Sequence, residues 1–175
     1  MWYNTGAMEN SPYEIERKFL IRYPDAEMLS RLAEDTRITQ TYLLAEGEGD
    51  TARVRKRGKD GSYVYTHTVK THINDLRRVE MEREISLTEY EELLKTADPQ
   101  RRVIEKTRWV LPYQGKCFEI DLFPFWNDRA YMEVELEDES EEVRLPPQIE
   151  IIREVTGDRR YSNAALSLEI PFDEI

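Results

Sequence analysis

Along most of this chain charged and apolar side chains take turns one residue at a time, the mark of β-strands whose two faces differ in kind. In the run Glu14-Ile15-Glu16-Arg17-Lys18-Phe19, an extended backbone puts Glu14, Glu16 and Lys18 on one side and Ile15 and Phe19 on the other. The same alternation, with the β-prone stretch Ile38-Thr39-Gln40-Thr41-Tyr42-Leu43, predicts eight strands, at about residues 13–21, 37–45, 51–57, 63–70, 77–85, 103–111, 117–123 and 131–137. Asp60-Gly61 marks a tight hairpin between the third and fourth, and short turns at 112–116 and 124–129 make most neighbours antiparallel. Helical spacing is confined to three places. Met28, Leu29 and Leu32 behind an Asp25 cap predict a helix over 25–34, and Thr88-Glu89-Tyr90-Glu91 reads as a capping box opening another over 88–97. Ile149, Ile152 and Val155 predict a third over 148–156, stopping at Gly157.

About eight antiparallel strands suffice to close a barrel. The expected architecture is a mainly β, α+β fold: an eight-stranded antiparallel closed β-barrel forming a tunnel, with helices packed outside and a C-terminal helix. The 175 residues give room for one such domain, over 13–170, behind a disordered leader at 1–12.

Composition narrows what this domain can bind. A net charge of −11 opposes capture of a polyanion, so no nucleic-acid partner is expected. Yet Arg53-Val54-Arg55-Lys56-Arg57-Gly58-Lys59 is strongly basic, which suits a small anion held in a local pocket. No apolar run approaches the roughly 18 residues of a membrane helix, and the first dozen residues lack a basic region and an apolar block; no membrane partner and a cytoplasmic location are expected. Cys117 has no second cysteine, and His67 and His72 are the only histidines, so any metal must be held by oxygen. His67 reads as structural.

The sign of the charges is segregated by strand. Arg53, Arg55 and Arg57 share one face, as do Glu80, Glu82 and Glu84, Lys106 and Arg108, Glu119 and Asp121, and Glu133 and Glu135. Same-face neighbours lie roughly 7 Å apart, which makes each like pair unfavourable by about 0.6 kcal/mol in water and roughly 2 kcal/mol at an effective dielectric of 20. A solvated outer face and an inward-facing lumen both fit the alternation. In the second case Arg53, Arg55, Lys70, Lys106 and Arg108 would clamp an anion beside Glu14, Glu16, Glu80, Glu82, Glu84, Asp121, Glu133 and Glu135. Carboxylates without histidine or thiolate favour a hard cation, Mg²⁺ or Mn²⁺, and arginine forks favour phosphate oxygens. The chemistry that suits such a set is metal-assisted displacement at phosphorus.

The motif Glu14-Ile15-Glu16-Arg17-Lys18 resembles the ExExK signature of the CYTH domain, the family also called triphosphate tunnel metalloenzymes. Arg53-Val54-Arg55, Thr68-Val69-Lys70, Arg78-Val79-Glu80-Met81-Glu82-Arg83-Glu84, Lys106-Thr107-Arg108, Glu119-Ile120-Asp121 and Glu133-Val134-Glu135 follow in the family's order. The resemblance implies an eight-stranded tunnel binding a triphosphate-bearing small molecule. It makes Glu14, Glu16, Glu133 and Glu135 metal ligands. Lys18, Arg53, Arg55, Lys70, Lys106 and Arg108 become phosphate ligands, and Glu82, Glu84 and Asp121 candidates for a second metal or for orienting water. Arg159 or Arg160 would reach the tunnel from the C-terminal segment. The implied activity is hydrolysis of inorganic tripolyphosphate or a related triphosphate. A class IV-type adenylyl cyclase and a non-catalytic nucleotide- or polyphosphate-binding module are the alternatives, and a homodimer is left open. The connection at 123–129 is glycine-free, unlike that of many relatives, and its Trp126 is expected to be a loop aromatic.

Overall fold

The computed structural model describes residues 15–45, 47–74 and 77–175; the leader, Glu14, Glu46, Asp75 and Leu76 lie outside them, as do the side chains of residues 72–74, 77 and 78. The chain runs β1 (Ile15–Arg22), α1 (Ala26–Leu32), β2 (Glu34–Leu43), β3 (Thr51–Lys59), β4 (Ser62–Asn74) and β5 (Arg77–Ile85). It continues with α2 (Leu87–Leu94), β6 (Ile104–Tyr113), β7 (Lys116–Leu122), β8 (Arg129–Leu136), β9 (Ile151–Glu154), a 3-10 turn (Arg159–Tyr161) and α3 (Asn163–Leu166). All eight expected strands are present. Asp60 and Gly61 both take positive φ, 53° and 81°, as the mirror-image two-residue turn between Lys59 and Ser62 demands. Asp25 caps α1, its Oδ1 accepting from Met28 N at 2.7 Å. The cap of α2 is Ser86, two residues before the expected Thr88, accepting from Glu89 N at 3.1 Å.

The third expected helix is a strand. Ile151–Glu154 pairs antiparallel with β1, and Val155 N donates to Lys18 O at 2.8 Å. The three-residue spacing of Ile149, Ile152 and Val155 was compatible with a helix, but these β-branched residues lie beside the open edge of β1, and ladder hydrogen bonds to that edge win. Helix returns only later, as the short α3.

The nine strands form one antiparallel sheet in the order β5-β4-β3-β2-β6-β7-β8-β1-β9. The expected closed barrel is thus a coiled sheet, with no ladder joining its ends among the described residues. The reason is local: β9 and Thr156 take the outer edge of β1 from Lys18 to Ile21, the edge closure would need. The coil is still deep enough for residues of β1 and β5 to line one cavity.

Three apolar clusters hold this shape. Outside β1, β6, β7 and β8, the buried Phe19, Ile21, Leu111, Phe118, Ile120, Met132 and Val134 pack with Met28 and Leu29 of α1. Outside β2–β5, Leu43, Val54 and Ile85 meet Tyr90 of α2. The third cluster lies on the inner face, where Leu20, Tyr42, Ile104, Phe123 and Tyr131 pack against Trp126, Tyr161 and Leu166. Trp126 belongs to this core, only 3% exposed, with Nε1 donating to Pro171 O at 3.0 Å. On this face the charged inward rows of β1, β6 and β8 run into the apolar Leu20, Ile104 and Tyr131, and that of β7 leads on to Phe123, while the inward row of β3 stays charged. Among the described residues no helix is long and apolar enough to cross a membrane.

Candidate functional site

Register shows which side chains share the inner face. Glu16 stands opposite Glu135 and Lys18 opposite Glu133 across β1 and β8; Glu133 stands opposite Glu119, and Asp121 opposite Arg108. Continuing around, Gln40 faces Arg55 and Tyr42 faces Arg53, while Thr68 links Arg53 to Glu82 and Lys70 links Thr51 to Glu80. Strand alternation puts all of these on one side. They enclose a cavity of about 340 Å³, closed on one side by Ser162, Asn163 and Ala164 at the start of α3.

The cations on the two sides of this cavity are held differently. Lys106 and Arg108 are buried behind or at the wall, and both meet Asp121, which is 1% exposed. Arg108 donates from Nε and Nη2 to the two Asp121 oxygens at 2.7 and 2.9 Å and from Nη1 to Glu119 at 2.6 Å. Lys106 Nζ donates to Asp121 Oδ2 at 2.7 Å and to Asn163 Oδ1 at 3.3 Å. Burial pushes the Asp121 carboxyl up, but Lys106 and Arg108 overcome it and hold it well below the usual carboxylate range. Burial, with the like charges of Arg108 and Arg55, draws the Lys106 ammonium down to about 7 although Asp121 opposes it.

Lys18 Nζ lies 3.0 Å from Glu133 and 4.3 Å from the Tyr131 ring centroid, and Lys70 Nζ lies 3.3 Å from Glu80. Burial pushes the Glu133 carboxyl up, and the charges of Lys18 and Lys106 with the Lys18 hydrogen bond together bring it below its ordinary value. The three arginines of β3 meet no carboxylate among the described residues. Arg55 donates to Gln40 Oε1, Arg57 to Thr36 Oγ1 at 3.0 Å, and the buried Arg53 Nε has no partner there. Burial, then repulsion from Arg53 and Arg108, lowers Arg55 to about 10, so it is still cationic at neutral pH.

Residues 12–164 match the model of the CYTH domain. This chain belongs to the CYTH family. It is 35% identical over 163 residues to the inorganic triphosphatase of Nitrosomonas europaea, covering 90% of this chain and 99% of that one. It is 34% identical over 154 residues to the inorganic triphosphatase of Acetivibrio thermocellus, covering 87% and 92%. The crystal structure of an inorganic triphosphatase superposes with a TM-score of 0.58 at 32% identity, over 91% of this chain and 97% of that one.

Most residues that the sequence singled out in this CYTH chain reach the cavity: Glu16, Lys18, Arg53, Arg55, Lys70, Glu82, Arg108, Glu133 and Glu135. Glu14 lies outside the described residues. Lys106 and Asp121 sit behind the wall, engaged with each other, and Glu84 stays exposed beyond it, opposite Thr66. The C-terminal segment does arrive, but through Ser162–Ala164; Arg160 turns away to Asp158, bonding from Nη2 at 2.7 Å. Glu80, expected in the lumen, lines the cavity too; Arg57 and Glu119 join it and were within reach of strand alternation, whereas Gln40, a neutral residue, carried no charge signal. His67 lies on the opposite face, beside Arg83.

An oxygen-only donor set suits a hard divalent ion. Glu16 and Glu135 face each other directly with Glu133 one step along the strand, and among the described residues no histidine or cysteine lines the cavity. Among the described residues no three such acidic side chains group into a ready-made ion cage.

Proposed function

We propose that this CYTH chain is a divalent-metal-dependent phosphohydrolase that cleaves inorganic tripolyphosphate or a related linear triphosphate. The observation that carries the reading is one cavity bordered by Arg53, Arg55 and Arg57 on β3, which meet no carboxylate among the described residues, and by Glu16, Glu133 and Glu135 on β1 and β8. The curated relatives it matches nearly end to end are named inorganic triphosphatases. Among the described residues Tyr42 is the only aromatic in the lining, which is otherwise charged and polar, a surface suited to a phosphate chain more than to a nucleobase.

In this reading Arg53, Arg55, Lys70 and Lys18 take the phosphate chain, arginines by paired donors and lysines as point charges. Arg108, fixed by Asp121 and Glu119, presents a rigid edge to it, and Lys106 supports that arrangement from behind. Glu16, Glu133 and Glu135, with Glu14, hold Mg²⁺ or Mn²⁺. When bound, such an ion neutralises phosphate charge and polarises the phosphoryl oxygens. Water attacks the terminal phosphorus as the bridging P–O bond breaks, giving orthophosphate and pyrophosphate. Glu82, anchored by Thr68 Oγ1 at 2.8 Å, is placed to orient that water. The test is a product profile with Mg²⁺ or Mn²⁺ on tripolyphosphate, ATP and thiamine triphosphate. Orthophosphate from tripolyphosphate in excess of the others is expected; cyclic AMP and pyrophosphate from ATP would replace the reading with a cyclase.

A further inference from the structure

Gln40 is fully buried, yet its side chain is committed to a cation. Its Oε1 accepts from Arg55 Nε at 2.8 Å and from Nη2 at 2.5 Å. Elsewhere in the site this work is done by carboxylates: Asp121 and Glu119 for Arg108, Asp121 for Lys106, Glu133 for Lys18 and Glu80 for Lys70. A carboxylate at position 40 would hold Arg55 at least as firmly, since charge-assisted hydrogen bonds are roughly twice as strong as neutral ones. It would also cancel the guanidinium charge. An amide fixes the same atoms and leaves the charge in place. Arg57, held by the Thr36 hydroxyl, follows the same pattern on the same strand.

We infer that Gln40 is a positioning residue of the phosphate site, holding the Arg55 guanidinium in place through two hydrogen bonds while leaving its positive charge for a phosphate group. The inference rests on the reading that this cavity takes a phosphate chain. The Gln40 Nε2 amide is buried with no partner among the described residues, so a residue chosen only to fill the interior would be better served by an apolar side chain. What the glutamine supplies is its oxygen.

Two substitutions separate orientation from charge. Gln40→Met keeps the volume and removes the acceptor; Gln40→Glu keeps the acceptor and adds the opposing charge. Binding of tripolyphosphate is measured by calorimetry in EDTA, so that turnover does not intervene, and the Arg55 Nε–H signal is followed by ¹⁵N NMR. Gln40→Met is expected to weaken binding about tenfold and to broaden the Arg55 signal. Gln40→Glu is expected to keep that signal sharp and still weaken binding about tenfold or more, with a loss that shrinks as salt is raised. In an Arg55→Ala background Gln40→Met should add less than about twofold, because the two residues act as one unit.

Wild-type affinity in Gln40→Glu, or an undiminished Gln40→Met effect in the Arg55→Ala background, overturns the inference. An unchanged Arg55 signal in Gln40→Met overturns it whether or not tripolyphosphate binds. Failure of the parent reading shows separately, as wild-type protein that releases no orthophosphate from tripolyphosphate with either metal.

Discussion

On β1 and β6 the cations Lys18, Lys106 and Arg108 are buried and each touches a carboxylate of β7 or β8; on β3, Arg53, Arg55 and Arg57 are half-buried and rest on an amide, a hydroxyl or no described partner. The backing differs in the same sense. Behind the first group stands the large cluster of Phe19, Phe118, Ile120 and Met132, whereas the outer face of β3–β5 is covered by the smaller cluster of Leu43, Val54, Ile85 and Tyr90 and leaves Met81 69% exposed. A charge buried against a dry core must be paired, because unpaired it would be desolvated without return. A cation near water can stay uncompensated and keep its attraction for a ligand. In the proposed reading the paired cations serve the scaffold as well as the phosphate chain, and the β3 row would be the part most free to answer to an anion.

The hardest test of this contrast is Asp121→Ala, which leaves Lys106 without its carboxylate and Arg108 with Glu119 alone. Breaking a buried pair in this way is expected to destabilise the fold by about 3–5 kcal/mol in urea unfolding, while Arg53→Ala, which relieves repulsion on Arg55, should leave stability within about 1 kcal/mol. The pH dependence follows from the depressed Asp121 carboxyl. A carboxylate whose folded value lies below its unfolded one contributes stability fully above the ordinary aspartate range and loses it as pH falls towards the folded value. Unfolding followed from pH 5 down to pH 2 should show this loss in the wild type and a flatter limb in Asp121→Asn. Equal slopes would mean that the pair carries no net electrostatic stability.

Next in size are Glu16→Gln and Glu135→Gln. Both residues are exposed and face each other, so stability should move by no more than about 0.5 kcal/mol. Metal-dependent orthophosphate release should fall by about 100-fold or more, since even groups that merely support metal ligands are worth 10–100-fold. Raised Mg²⁺ should recover part of the loss. Full activity in both variants would turn this face of β1 and β8 into simple surface.

Alternation made the strands, the hairpins and the charged inner face legible, because a period of two survives in sequence wherever one face is buried. It could not show where the inner face turns apolar: Leu20, Ile104, Phe123 and Tyr131 occupy the same side as Lys18, Lys106, Asp121 and Glu133, and only packing against Trp126 and Tyr161 gives them a reason. The strand at Ile151–Glu154 was hidden because its edge partner lies some 130 residues away, while the helical spacing was local. Charge guided the site residues, so it found most of the cavity wall and passed over Gln40, whose value lies in being neutral. It also placed Asp121 beside the substrate, whereas its two oxygens are engaged with Lys106 and Arg108.

The smallest effect is expected at the edge of the uncompensated half. Glu82 and Glu84 sit two residues apart on β5 and share a face, but only Glu82 lines the cavity and receives the Thr68 hydroxyl; Glu84 stands opposite Thr66, exposed. Glu82→Gln is therefore expected to lower orthophosphate release about tenfold, because an aligned acceptor for water is lost. Glu84→Gln should change it by less than about twofold, and stability by less than about 0.5 kcal/mol. If Glu84→Gln instead matched Glu82→Gln, the working cavity would extend along β5 past Thr66, and the line between a phosphate wall on β3 and an accessory edge on β5 would have to move outward by one inward-facing position.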